Sequence, residues 1–236
     1  PMPSDLTSGQ AAALIDDLAA MSDRPVLVFS GGEPLLRPDL FDLARHAGAN
    51  GLRTALATNG TLINPALAAD IASAGFARVS ISIDGADAAT HDAFRNQPGA
   101  YDRAIRGLNL VRQAGVGTQL NCTLARHNAG QLETLIALGE HLAVQAVHLF
   151  LLVPVGCGLE IAADQMLAPA EVEAVMHRLA DAQDKTTLQI KATCAPFYYR
   201  LLRQRGQSLI HPVGHPGPGR PDGQLHAFTK GCLAGL

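Results

Sequence analysis

Apolar runs of strand length alternate with segments of helical spacing along this 236-residue chain. Strands are expected at residues 25–30, 53–58, 78–83, 117–123 and 146–153, and helices at 10–21, 39–47, 65–74, 101–113 and 131–142. Strands separated by single helices need crossover connections, so the sheet they form is mainly parallel. The strand residues are rich in Val, Ile, Leu and Phe, as a sheet covered on both faces requires. Three helices are expected to close on Ala-Gly pairs, Ala47-Gly48, Ala74-Gly75 and Ala114-Gly115, where glycine takes the left-handed conformation. Pro65 suits a helix start, where its missing N–H costs nothing.

The stretch Phe29-Ser30-Gly31-Gly32-Glu33-Pro34 follows the first apolar run and precedes a helical segment. Two glycines let a ligand approach the backbone closely. A carboxylate directly after them is ill-suited to phosphate, and suits an ammonium group or a metal-bound amine. The other polar residues also gather at the carboxyl ends of the strands. Thr58-Asn59-Gly60 follows the second, Ser82 and Asp84-Gly85 the third, Asn121 lies in the fourth, and Pro154 to Cys157 follows the fifth. In a barrel or an open α/β sheet these ends share one crevice. Asn59-Gly60 and Asp84-Gly85 taken singly also suit plain turns.

Composition narrows the class. With 47% hydrophobic and 17% charged residues the chain can bury one sizeable core. A net charge of −3 without a basic run points to neither nucleic acid nor an anionic membrane. The apolar stretch at residues 149–155 is too short to span a bilayer, and no charged leader precedes an apolar segment. Cys122, Cys157, Cys194 and Cys232 form no CxxC, which fits a reducing, cytoplasmic setting. Each also suits an ordinary buried thiol. The segment 206–223, rich in Gly and Pro, holds His211 and His215. Its prolines argue against the helix that a metal-binding His pair would need, so a mobile surface loop is expected.

Gly31-Gly32-Glu33-Pro34, Thr58-Asn59-Gly60 and Ser82-Ile83-Asp84-Gly85, each after a strand, resemble the core of the radical S-adenosylmethionine (SAM) enzymes. The resemblance covers residues 25–155 and implies an α/β fold: a partial (β/α)6 TIM-type barrel with mainly parallel strands, truncated at both ends. It implies that Gly31, Gly32 and Glu33 bind the methionyl amine of SAM, with Pro34 also among the cofactor-binding residues and Thr58 and Asn59 lining the next strand end. Ser82 would lie near the methionyl carboxylate, with Arg95 as its cation, although Arg95 equally suits a solvated residue at a helix start. Asp84 and Asn121 would approach the ribose, and Val153 the adenine. His91 and Asp92 are read as capping and positioning a helix. No residue is assigned as a general acid or base. The CxxxCxxC loop that holds a [4Fe–4S] cluster in this family is absent, so the chain is expected to be a fragment inactive by itself.

Three later stretches, 148–158, 191–200 and 230–235, resemble the haem-modifying members of the family. The enzyme of heme d1 biosynthesis is the nearest likeness, with siroheme-dependent haem synthesis as a neighbour. On that basis residues 1–190 form the barrel and 191–236 open a C-terminal extension of SPASM or twitch type. Cys232 and Cys194 are its candidate ligands for an auxiliary [4Fe–4S] cluster. The intact protein would cleave SAM reductively to a 5′-deoxyadenosyl radical and modify propionate side chains of a siroheme-derived tetrapyrrole. A ferredoxin or flavodoxin would supply the electron. Peptide maturation, molybdopterin synthesis or a non-catalytic SAM-binding scaffold are the alternatives. An ordinary nucleotide-binding fold is disfavoured, because Gly-Gly-Glu stands where GxGxxG is needed.

Overall fold

The computed structural model describes residues 6–156 and 158–206. Cys157, Cys232, His211, His215 and nearly all of the Gly/Pro-rich segment lie outside the described residues. The chain divides into two compact units, Pro1–Ile83 with Asp87–Leu120, and Asp84–Ala86 with Asn121–Leu236. Its six strands neighbour one another in chain order.

In the first unit α1 (Ser8–Ala19), β1 (Val26–Phe29), α2 (Leu40–Ala49), β2 (Arg53–Thr58), α3 (Pro65–Ser73), β3 (Arg78–Ser82), α4 (Ala88–Arg95) and α5 (Ala100–Gln113) follow one another, all but α4 much as the sequence leads one to expect. β1 pairs with β2 and β2 with β3, both parallel. Capping fixes the helix starts. Thr7 and Gln10 form a reciprocal capping box for α1, and the Asn64 side chain accepts from Leu67 N ahead of Pro65 at the start of α3. Ile15, Leu43, Ala47 and Leu52 form a core over Leu27 and Phe29, so α1 and α2 cover one face of β1. The Phe29 ring meets Phe76 edge to face at 5.8 Å.

The helix ends divide on Ala-Gly. Gly75 (φ 79°) and Gly115 (φ 83°) take the expected left-handed conformation. Gly48 does not, because α2 continues through it to Ala49 and the closing glycine is Gly51 (φ 77°). Backbone closeness explains another glycine. A Cβ at Gly107, on α5, would stand 2.4 Å from the carbonyl oxygen of Gly60.

β4 (Gly117–Leu124) enters the second unit, which continues through α6 (Leu132–His141), β5 (Ala146–Leu151), α7 (Gly158–Gln165), α8 (Pro169–Gln183), β6 (Gln189–Thr193) and α9 (Pro196–Gln204). β5 and β6 are parallel. α6 approaches β5 through Gly139, where a Cβ would meet the Val147 side chain at 2.7 Å. Val175, Met176, Leu179 and Ala180 are the buried residues of α8. Tyr198 is buried with its hydroxyl donating to Gln183, and burial pushes its pKa upward. β6 and α7 to α9 are not foreseen from the sequence, and β6 spans the position where the C-terminal extension is expected to begin. None of the described helices is long and apolar enough to cross a membrane.

The Gly60–Gly107 approach makes a direct prediction. Gly107→Ala should lower stability by about 1–3 kcal/mol in urea unfolding, because a backbone carbonyl cannot give way as a flexible side chain can. Gly48→Ala, on an exposed helical position with nothing within 4 Å, should instead be neutral or stabilise by up to ~1 kcal/mol. Equal effects would refute the packing argument.

Candidate functional site

β1 ends into Gly31 and Gly32, both exposed, and a Cβ on either would meet nothing within 4 Å. Gly31 has φ 146°, a conformation that disfavours any side chain. The chain then reverses at Glu33, which caps the 3-10 turn Pro34–Leu36 while Pro34 is buried beneath it. The Glu33 carboxylate accepts three hydrogen bonds. Oε1 takes the Thr58 hydroxyl at 2.6 Å and the Leu35 N–H at 3.1 Å, and Oε2 takes the Asn59 N–H at 2.9 Å. Two of these donors stand at the end of β2, so the acid ties the ends of β1 and β2 together. Bonds to an ionised acceptor are short and strong, which suits this junction.

Thr58 is buried, and its oxygen also accepts from Gly60 N at 3.0 Å. Asn59 turns its Oδ1 back onto the N–H and hydroxyl of Thr61, both at 2.8 Å, so its side chain builds the turn. Just beyond, the Arg37 guanidinium bonds the Asp39 carboxylate and holds its pKa below the usual carboxylate range, with Ser8 assisting.

This donor set fits an amine. A carboxylate offers about four lone-pair positions, and three are filled, which leaves room on Oε2. The adjacent Gly31 and Gly32 present bare backbone on an open side. An ammonium group would find negative charge and exposed backbone there, whereas an anion would meet repulsion.

Ser82 ends β3 and is half-buried. Arg95 departs from expectation, since it is the last residue of α4 rather than the first of a helix. The reason is local. Asp87 caps α4 by accepting from Thr90 N, and Asn96, at φ 49°, closes it after Arg95. Arg95 is exposed. Asp92 caps the next helix, accepting from Gly99 N and Tyr101 N, which lowers its pKa. His91 is buried with its ring 5.8 Å from that of Tyr101.

In the second unit Asp84 is fully buried, and its Oδ1 accepts from Thr123 N at 2.7 Å. Its carbonyl oxygen receives Asn128 Nδ2 at 2.9 Å and faces His127 Nε2 at 3.0 Å. His127 and Asn128 were not singled out from the sequence, where they look like ordinary loop residues. Asn121 is half-buried within β4. Val153 lies past the end of β5, more exposed than its neighbour Leu152. Val153, Leu152, Met176, Phe197, Arg200 and Cys194 help line a cavity of about 520 Å³. Cys194 is half-buried at φ 60°, between β6 and α9. Among the described residues no group of three or more His, Cys, Asp or Glu side chains is placed to hold a metal ion.

Residues 2–138 match the sequence model of the Radical SAM superfamily. The chain belongs to that superfamily. As a radical SAM chain it is 40% identical to an AdoMet-dependent heme synthase of Methanosarcina barkeri over 231 residues, 98% of this chain and 64% of the relative. A pre-heme d1 synthase of Dinoroseobacter shibae is 41% identical over 156 residues, 66% of this chain and 38% of that protein. The chain thus spans less than two thirds of the curated relatives it matches. Among solved structures, Streptococcus suis SuiB bound to precursor peptide SuiA shares the fold with TM-score 0.68 and 15% identity, covering 85% of this chain and 45% of that one. The radical SAM fold here is accordingly the α/β, partial (β/α)6 TIM-type one.

The Glu33 junction yields a second prediction. Thr58→Val keeps the shape of the side chain and deletes its hydroxyl, so Glu33 loses a charge-assisted donor. Urea unfolding should show a loss of about 1–3 kcal/mol. Stability equal to wild type would mean that the junction does not hold the strand ends.

Proposed function

We propose that this chain is the SAM-binding part of an enzyme that modifies propionate side chains of a tetrapyrrole, in the haem-synthesis branch of the superfamily. One observation carries the branch. Likeness to the heme synthase extends over 98% of the chain, whereas likeness to the pre-heme d1 synthase covers 66% at nearly the same identity. The heme d1 reading, with a siroheme-derived substrate, is the second choice and rests on that shorter stretch.

Glu33, Gly31 and Gly32 would receive the amine of SAM, with Pro34 holding the turn and Thr58 and Asn59 holding the carboxylate in place. The same proposal carries Ser82 and Arg95 for the methionyl carboxylate, Asp84 and Asn121 for the ribose, and Val153 for the adenine. When bound, SAM and a [4Fe–4S] cluster supply the radical chemistry, while the protein positions the reactants and excludes water. Residues from 191 on, with Cys194 and Cys232, are proposed as the start of an auxiliary-cluster extension. Ferredoxin or flavodoxin is the proposed electron donor.

Calorimetry tests the amine role. SAM should bind Glu33→Ala at least about tenfold more weakly than wild type. Unchanged affinity would refute the assignment. The branch is tested on the protein expressed at the length of its relatives, with its cluster reconstituted anaerobically. Incubation with SAM, a reductant and iron coproporphyrin III should release 5′-deoxyadenosine and carbon dioxide. Release of 5′-deoxyadenosine only with a siroheme-derived substrate would favour the heme d1 branch. A protein that binds SAM and never cleaves it would be a scaffold.

A further inference from the structure

The two faces of β1, β2 and β3 differ in kind. Parallel register aligns Phe29 with Leu56 and Leu56 with Val79, and these residues belong to the face that the helices cover. The same register sets Val28, Ala55 and Arg78 in one row on the opposite face, with Val26 and Arg53 in the row before it. Ala57 and Ser80 form the row after. Alternation along each strand makes Val26, Val28, Arg53, Ala55, Arg78 and Ser80 neighbours on that face.

On β1, the edge strand of the described sheet, this face is open. Val26 is 55% and Val28 52% exposed, although both are large apolar strand residues. Beside them Arg53 and Arg78, the first residues of β2 and β3, stand on adjacent strands one row apart on the same face. Arg78 is half-buried, and its one hydrogen bond among the described residues is donated to Gln119 Oε1 at 3.3 Å. Burial, and then the nearby charge of Arg53, pull its pKa down. Neither arginine forms an ion pair with a described carboxylate. Two like charges close together, one partly desolvated, are unfavourable until an anion joins them.

We propose that Arg53 and Arg78 bind a carboxylate of the substrate, and that Val26 and Val28 receive its apolar body. Arginine's planar fork matches a carboxylate better than any other side chain does. The neighbouring residues Ala55 and Ala57 are small and half-buried, which gives a flat molecule room beside the valines, while Ser80 in the row after is buried. Ser82 lies four residues along β3 from Arg78, roughly 13 Å at the usual strand rise. A carboxylate held at the arginines therefore leaves the rest of the ligand lying towards the strand end that carries Ser82. The ligand class, flat, apolar and carboxylated, rests on the tetrapyrrole reading; the anion site itself does not.

Two porphyrin probes separate these claims. Coproporphyrin III and its tetramethyl ester are titrated, by absorbance, into wild type, Arg53→Gln and the Arg53→Gln/Arg78→Gln double variant. The free acid should bind the double variant about tenfold more weakly and Arg53→Gln severalfold more weakly, while the ester binds all three alike. Arg53 is exposed, so its single variant keeps the fold even if the double variant unfolds. Unchanged binding of the acid, or equal losses for acid and ester, would overturn the proposal. If wild type binds neither porphyrin, the tetrapyrrole reading fails and glutarate decides the site. It should raise the melting temperature of wild type more than that of Arg53→Gln, and equal shifts would overturn it.

Discussion

Val28, Ala55 and Arg78 lie side by side because β1, β2 and β3 run parallel in one register, and that register decides which residues can meet. It sends the large apolar side chains Leu27, Phe29 and Leu56 towards the helices. It leaves the valines, small residues and arginines on the other face. A slip of one residue would exchange the two sets and put guanidinium groups into the helix-covered core. The same alignment brings the loops after β1 and β2 together at one edge, where Glu33 can reach Thr58 and Asn59. Core, junction and ligand-facing surface are thus consequences of one pairing pattern.

Glu33 has two uses that pull in the same direction. Its carboxylate is held by a hydroxyl and two backbone N–H groups, so its orientation is fixed before any ligand arrives. A carboxylate so fixed loses little freedom on meeting an ammonium group. Negative charge at this edge and positive charge at Arg53 and Arg78, near the opposite ends of the strands, give the first unit a polarity along its strand axis. A ligand with an amine at one end of the site and a carboxylate at the other would be oriented by that polarity alone.

Much of this was legible in the sequence, for reasons that differ by element. The apolar runs of β1 and β5 announce themselves, and β2 to β4 are legible from their regular place between helical segments that end near Ala-Gly pairs. β6 does not, because Gln-Ile-Lys-Ala-Thr is short, alternates polar with apolar and follows no Ala-Gly helix end. The polar helix α4 escaped notice for a similar reason, and with it the true place of Arg95. Ala47-Gly48 reads as a helix end, yet α2 continues to Ala49 and Gly51 supplies the left-handed turn. The motif at Glu33 pointed to an amine but gave no sign that Thr58 and Asn59 donate to it. Arg53 and Arg78, 25 positions apart, become neighbours only once the register of β2 and β3 is known.

The near-contact of Gly107 with the Gly60 carbonyl bears on how this edge behaves in time. The turn after β2 is clamped from behind by the backbone of α5, and Ile81 closes it from another side, 2.8 Å from where a Cβ on Gly60 would be. A loop so wedged has little room to sample other shapes. Its ordering entropy is spent during folding, so a ligand proposed to meet this turn would not pay the cost of freezing a loop. The glycines at 31 and 32, with nothing within 4 Å of a Cβ on either, leave the other side of the junction open, so the two strand ends differ in how tightly their turns are packed.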